Sequence, residues 1–143
     1  MIREIKISDY NEIQKLSTNL GFALPKEVVK ENIKSVLADG QDKIFAEVDS
    51  KDNVIGYIQI APLRPIYFKP LIDIIGMVVD EKHRRKGIGR NLINAAKDWA
   101  VRNGFEGIRA VTQIKRMEAH NFYSSVGFNY IKTQKNYRMI FKS

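Results

Sequence analysis

The stretch Val78-Val79-Asp80-Glu81-Lys82-His83-Arg84-Arg85-Lys86-Gly87-Ile88-Gly89-Arg90 constrains this chain more than any other. An apolar run over 72–79 predicts a strand. It passes into a basic turn holding two glycines, and an amphipathic helix over 87–102 follows at once. Glycine lets a backbone approach a ligand closely and adopt conformations that other residues resist. The first turn of a helix presents N–H groups outside the helical ladder and the positive end of the dipole, and both attract phosphate oxygens. Arg84, Arg85 and Lys86 deepen that field. The arrangement predicts a site for a ligand carrying a pyrophosphate.

Known phosphate-binding patterns separate cleanly here. No G-x-x-x-x-G-K-[ST] string occurs, so this is not a P-loop. The dinucleotide fingerprint G-x-G-x-x-G fails as well, because Leu92 stands where its third small residue belongs. The pattern that fits is [Q/R]-x-x-G-x-[G/A], read as Arg84-Arg85-Lys86-Gly87-Ile88-Gly89. With its strand before and helix after, it resembles the acetyl-CoA site of the GNAT superfamily of N-acetyltransferases. A second block, Met117-Glu118-Ala119-His120-Asn121-Phe122-Tyr123-Ser124-Ser125-Val126-Gly127-Phe128, resembles the A-x-x-F-Y-x-x-x-G-F signature near the C-terminus of the same proteins. Ala119, Phe122, Tyr123 and Val126 have helical spacing, Gly127 fits a helix C-cap, and Phe128 would open a strand. Forty residues separate Gly87 from Gly127, and the two blocks stand in the family's order.

Composition bounds the rest. The 143 residues suit one domain with one core. Met1-Ile2-Arg3-Glu4-Ile5-Lys6 lacks the apolar core of a signal peptide. The run over 71–79 is too short to span a bilayer and contains Asp73. A soluble, cytoplasmic protein without a membrane partner is therefore expected. Zero cysteines exclude thiolate metal sites and a covalent acetyl-cysteine route through this chain. His83 and His120 have no metal-ligand spacing, so no metal cofactor is expected. The net charge of +8 invites a nucleic-acid reading. However, the cations are scattered and no helix carries a continuous basic stripe. Coenzyme A is itself a polyanion, and nucleic acid is not expected as a partner.

The elements can be placed along the chain. Ile5 and Ile7 alternate in a first strand, and Ser8 or Asp9 caps a helix running to about residue 19. Pro25 starts a second helix with Val28, Val29, Ile33, Val36 and Leu37 on its apolar face, and Asp39-Gly40 stops it. Strands follow over 43–48 and 54–60 around a turn at 49–53, then an irregular loop marked by Pro62, Pro65 and Pro70. The helix over 87–102 buries Ile88, Leu92, Ile93, Ala95, Ala96, Trp99 and Ala100. A strand over 108–113, a helix over 119–123 and a closing strand from residue 130 toward 141 complete the order.

The resemblance implies an α/β fold (α+β by some schemes), with a central mixed, mostly antiparallel sheet of roughly six to seven strands, four helices, and splayed strands forming an acetyl-CoA cleft. It implies direct transfer of an acetyl group from acetyl-CoA to a primary amine in a ternary complex. Main-chain groups of Met77, Val78 and Val79 would pair with the pantetheine arm, and a bulge is consistent with Gly76 in a β-branched strand. The turn Arg84, Arg85, Lys86, Gly87, Ile88, Gly89 and Arg90 would hold the pyrophosphate. Tyr123 occupies the place of the family's general acid, and Asn121 is placed to hydrogen-bond pantetheine. Where many relatives carry Asn, this chain has Arg116.

Asp73 stands fourteen residues before Gly87, matching the acidic strand residue that serves as base in histone-type members. A carboxylate in an apolar strand is costly to bury unless paired or functional; ordered water is the alternative base. A non-catalytic acyl-CoA binding module on the same fold is the competing function. The acceptor would be recognised around residues 19–26 and 61–70. The second of these loops is aromatic and basic, which suits an apolar or anionic amine better than a polycation such as an aminoglycoside. Homodimers are common in the family.

Overall fold

Alternating apolar residues over 43–63 form the two strands at the centre of a sheet, β2 (Lys43–Val48) and β3 (Val54–Leu63). Their partners are β1 (Ile2–Glu4), β4 (Leu71–Val79) and β5 (Ile108–Ala110), in the order β1-β2-β3-β4-β5. The first three pairings are antiparallel and the last is parallel. Among the described residues there are four helices: α1 (Tyr10–Asn19), α2 (Lys26–Asp39), α3 (Ile88–Arg102) and α4 (Met117–Ser125). The computed structural model describes residues 1–112 and 116–142. It divides into two compact units, residues 1–110 and 111–143. Among the described residues no helix is long and apolar enough to cross a membrane.

The first unit is a sheet with both faces covered. Ile44, Ala46 and Val48 of β2 pack with Ile13 and Leu16 of α1 and Val29 and Ile33 of α2. The opposite face of the same strands meets α3 through Leu92 and its neighbours, since Phe45 pairs with Ile58 across the ladder. Ile58, Ile60, Ile72 and Leu92 are fully buried. Each such side chain contributes about 1.5–3 kcal/mol of transfer free energy.

Several expectations are corrected. Asp9 does not cap α1 with its side chain. Its oxygens instead accept from both terminal nitrogens of Arg3 at 2.9 Å and from the Lys6 N–H at 2.7 Å. The guanidinium fork outcompetes the helix end. Val28 and Leu37 lie exposed on α2, so its buried stripe is narrower than the spacing suggested. Pro62 lies inside β3 rather than in the loop. Beyond Ile60 the β2 side of β3 has no partner, so a missing N–H there costs no ladder bond. Trp99 is half-buried and stacks on Phe105 at 5.7 Å between centroids. The strand expected over 108–113 is shorter, Ile108–Ala110: residues 111 and 112 are not part of it, and residue 113 lies outside the described residues.

The second unit carries α4 and, among the described residues, no strand. The helix ends as its sequence predicts: Gly127 takes φ +100°, its N–H reaches the Ser124 carbonyl at 3.3 Å, and the Phe128 N–H reaches Tyr123 at 3.0 Å. These are the two bonds of a Schellman motif. The strand expected from residue 130 does not form; the described sheet has five strands rather than six or seven. A strand exists only through its ladder, and residues 129–142 make none.

Candidate active site

The candidate site is built from one continuous segment. β4 pairs with β3 along its whole length, but β5 covers only Ile72, Asp73 and Ile74. From Ile75 to Val79 the other edge of β4 is left open among the described strands of this unit. Gln59 pairs with Gly76 and Ile60 with Ile74, so Ile75 is an extra residue bulged from the ladder, and it is exposed. The bulge therefore falls beside Gly76, as the glycine suggested. A side chain at Gly76 would meet no atom within 4 Å, so this glycine marks open space and not tight packing.

After Val79 the chain is held by Asp80. Its N–H donates to the Ile55 carbonyl at 2.9 Å, while its carboxylate accepts from the Lys82 N–H at 3.3 Å and lies 3.2 Å from His83 Nδ1. These contacts tie down one turn of 3-10 helix, Glu81–His83. The chain then swings through Arg85 at φ +66° and Gly87 at φ +79° into α3. Left-handed backbone at Gly87 is what a glycine makes inexpensive. The first helical bond, Asn91 N–H to Gly87 carbonyl at 3.0 Å, leaves the N–H groups of Ile88 and Gly89 outside the ladder. Arg84, Arg85 and Lys86 are all exposed beside them.

Two contacts fix the start of α3, and sequence reading found neither. Ile88 is buried against Gly56 of β3. A Cβ at Gly56 would come 3.1 Å from Ile88 Cγ2 and 3.2 Å from the Val78 carbonyl, so any larger residue would press on both. Asn91 donates to Glu47 at 2.9 Å, and the amino group of Met1 binds the other oxygen of the same carboxylate. Burial pushes the Glu47 carboxyl up, but these hydrogen bonds outweigh it and hold it below its usual range. A glutamate in an otherwise apolar strand was the available signal.

Asp73 is placed three residues before the bulge's far side, directly across from Arg109 of β5. The guanidinium grips both of its oxygens, at 3.2 and 3.0 Å. This pairing is also what raises the proton affinity of Arg109. Arg109 could have been suspected from an arginine inside the short strand Ile108–Ala110, though its register could not. The loop after β3 spends its cations internally: Arg64 sits over the Phe105 ring at 5.3 Å and Lys69 pairs with Glu106 at 3.2 Å.

The second unit places Tyr123 and Asn121 on α4. Asn121 is exposed. Tyr123 is half-buried between Phe122 and Phe128, with ring centroids 5.4 and 5.2 Å away. Burial raises the affinity of its hydroxyl for the proton, against a smaller opposing effect of Arg116. Met77, Val78, Val79 and the turn from Arg84 to Arg90 thus share one strand-turn-helix segment. Tyr123 and Asn121 belong to the other unit. No group of three or more metal-ligating side chains occurs among the described residues.

Comparison with known proteins places this geometry. N-acetyltransferase family 8 member 3 of Rattus norvegicus is 29% identical over 85 residues, which is 59% of this chain and 37% of that protein. The streptothricin acetyltransferase of Escherichia coli is 41% identical over 58 residues, 41% of this chain and 33% of that protein. The chain thus spans about a third of the length of these curated relatives. Among solved structures, AAC(6')-Iy in complex with the bisubstrate analog CoA-S-monomethyl-acetylneamine shares the fold. Its TM-score is 0.85 at 17% identity, over 98% of this chain and 97% of that one. A model of the acetyltransferase (GNAT) family matches residues 8–128, across the basic turn and the α4 block alike, and by that match the chain belongs to this family.

Proposed function

We propose that this chain is an N-acetyltransferase that moves the acetyl group of acetyl-CoA directly to a primary amine. The observation that carries the reading is the strand-turn-helix segment: an open β4 edge, three exposed cations, and left-handed Gly87 opening α3. The N–H groups of Ile88 and Gly89 and the side chains of Arg84, Arg85, Lys86 and Arg90 would bind the pyrophosphate. Main-chain groups of Met77, Val78 and Val79 would pair with the pantetheine arm as an added strand supplies a ladder. Asn121 would hydrogen-bond the same arm.

In the reaction the amine nitrogen attacks the thioester carbonyl carbon, a C–N bond forms, and negative charge develops on the carbonyl oxygen. A main-chain N–H at Met77 or Val78 would stabilise that charge. The C–S bond then breaks, and Tyr123 would protonate the departing thiolate. Its burial suits it to hold the proton until that moment. The proton lost by the amine needs an acceptor. Asp73 is the candidate in this chain, but both of its oxygens already accept from Arg109. Ordered water is the alternative base while that pair is closed.

Thermal unfolding with acetyl-CoA, and with NADH and ATP as controls, tests the reading. A ligand at a hundredfold excess over its dissociation constant stabilises by about 2.7 kcal/mol. A shift specific to acetyl-CoA, followed by amine-dependent release of free thiol, is expected. Equal shifts with every nucleotide would reduce the turn to a general anion site, and binding without thiol release would leave a non-catalytic acyl-CoA module.

A further inference from the structure

A cavity of about 200 Å³ lies in the first unit between α1, α2 and the sheet. Ile5, Ile13, Phe22, Leu24, Ile33 and Tyr57 are among the residues that line it, and no residue lining it is charged. Its polar groups are few. Ser17 and Tyr57 satisfy one another through a 2.8 Å hydrogen bond. Gln59 donates its amide N–H to Asp42 at 3.2 Å, which leaves the amide carbonyl as an acceptor. Asp42 supplies a single negative charge at that edge.

The place of the cavity matters as much as its lining. Tyr57 and Gln59 are neighbours on one face of β3, and their cross-strand partners on β4 are Val78 and Gly76. Directly opposed residues in such a ladder stand about 4.5–5.5 Å apart. The cavity wall is therefore one strand away from the backbone assigned above to the pantetheine arm. Gly76, on that same face, has nothing within 4 Å of where a side chain would be. The space beside Gly76 on the cavity's face of the sheet is therefore open at its first step from β4.

Resting on the acetyltransferase reading, we propose that this cavity receives the acceptor, and that the acceptor is a primary amine on an uncharged aliphatic or aryl group. A dry cavity of about 150 Å³ holds a benzene ring, so this one has room for a ring with a short chain leading to the amine. The Gln59 carbonyl takes the amine N–H, and the apolar body rests against Ile13, Ile33 and Tyr57. A polycation is disfavoured, because each further ammonium would enter an uncharged wall without a counterion. In the nearby loop Arg64 lies over the Phe105 ring and Lys69 pairs with Glu106.

The test is free-thiol release by the whole chain with acetyl-CoA and four amines: 2-phenylethylamine, n-hexylamine, spermidine and kanamycin. The apolar pair is expected to exceed the polycations at least tenfold in kcat/KM. Val36→Phe, which fills the cavity from α2, is expected to raise KM for 2-phenylethylamine at least tenfold without changing the acetyl-CoA thermal shift. Asn32→Asp, at an exposed lining position, adds a carboxylate without demanding repacking and is expected to narrow the preference over spermidine about tenfold. Turnover of polycations alone, or an acetyl-CoA shift with no turnover of either apolar amine, overturns the assignment of the cavity and leaves the acetyltransferase reading standing or open. An unchanged preference in Asn32→Asp overturns it too. Absence of both an acetyl-CoA shift and thiol release with every amine overturns the underlying reading as well.

Discussion

The two units solve the problem of stability differently. Residues 1–110 bury apolar side chains on both faces of a sheet, and Ile58, Ile60, Ile72 and Leu92 have almost no exposed surface. The described residues of 111–143 have one helix with no buried residue, followed by a stretch in which Tyr130, Ile131, Tyr137, Met139, Ile140 and Phe141 are each at least 73% exposed. Ordering a residue's backbone costs about 1–2 kcal/mol, and burial of apolar surface is the main gain that offsets that cost. The first unit therefore has the means to hold a phosphate-binding turn rigid. The second carries the proposed acid on a helix that ends in a Schellman cap, with the Tyr123 ring against Phe122 and Phe128.

That difference divides the proposed chemistry, and mutation should expose the division. The largest effect is expected from replacing Arg84, Arg85 and Lys86 together by alanine. Each charge-assisted hydrogen bond is worth about 1.5–3 kcal/mol, so acetyl-CoA affinity should fall by at least a hundredfold and its thermal shift should vanish. Tyr123→Phe should do the reverse. It should leave the shift intact and lower kcat by about 10²-fold or more, the usual contribution of a general acid. Because burial raises the Tyr123 hydroxyl above its ordinary 10.0, wild-type kcat should show no alkaline loss from this group below about pH 10. An intact kcat in Tyr123→Phe, read from single-turnover thiol release, would take the acid role away from the second unit.

Stability should split along the same line. Ile72→Ala removes a fully buried side chain and should cost about 2–5 kcal/mol. Ile140→Ala removes one that is 73% exposed and should change stability by no more than about 0.5 kcal/mol. Chemical denaturation of the two variants measures both. Equal losses would mean that residues 129–142 are as well buried as the sheet.

What the sequence disclosed follows the same physics. Local rules placed β2 to the residue, the Gly40 and Gly127 helix stops, the bulge beside Gly76 and the glycine turn that leads into α3. Each depends on a few adjacent residues. The pairing of Asp73 with Arg109 and the seat of Ile88 on Gly56 were hidden, because both depend on register between strands far apart in the chain. Asp9 shows the same limit: its position before a helix suggested a cap, and a non-adjacent arginine claimed it. The closing strand failed because periodicity reports which residues could alternate and says nothing of whether a partner edge is there to pair with. In the acceptor region, charge counting saw a basic loop, whereas geometry shows Arg64 and Lys69 already engaged.

The smallest effect concerns how the first unit holds its phosphate-binding turn. Glu47 is nearly buried, accepts from Asn91 at the start of α3, and is held below its usual proton affinity by its hydrogen bonds despite burial. A carboxyl that binds its proton less readily when folded than when unfolded stabilises the fold above its unfolded value, here about 4.5, and loses that contribution as the pH falls through the lower folded value. Asn91→Ala removes one of the bonds responsible. It should cost about 1 kcal/mol at neutral pH, within the usual range for a single hydrogen bond, and the deficit should shrink once Glu47 is protonated in both variants. Because Asn91 also steadies the first turn of α3, acetyl-CoA affinity should weaken a few-fold alongside. Thermal unfolding of the pair from pH 7 to pH 3, with and without acetyl-CoA, reads both quantities. A deficit constant with pH would separate the Glu47 contact from the electrostatics of the turn, and the grip on α3 would then rest on Ile88 and Gly56 alone.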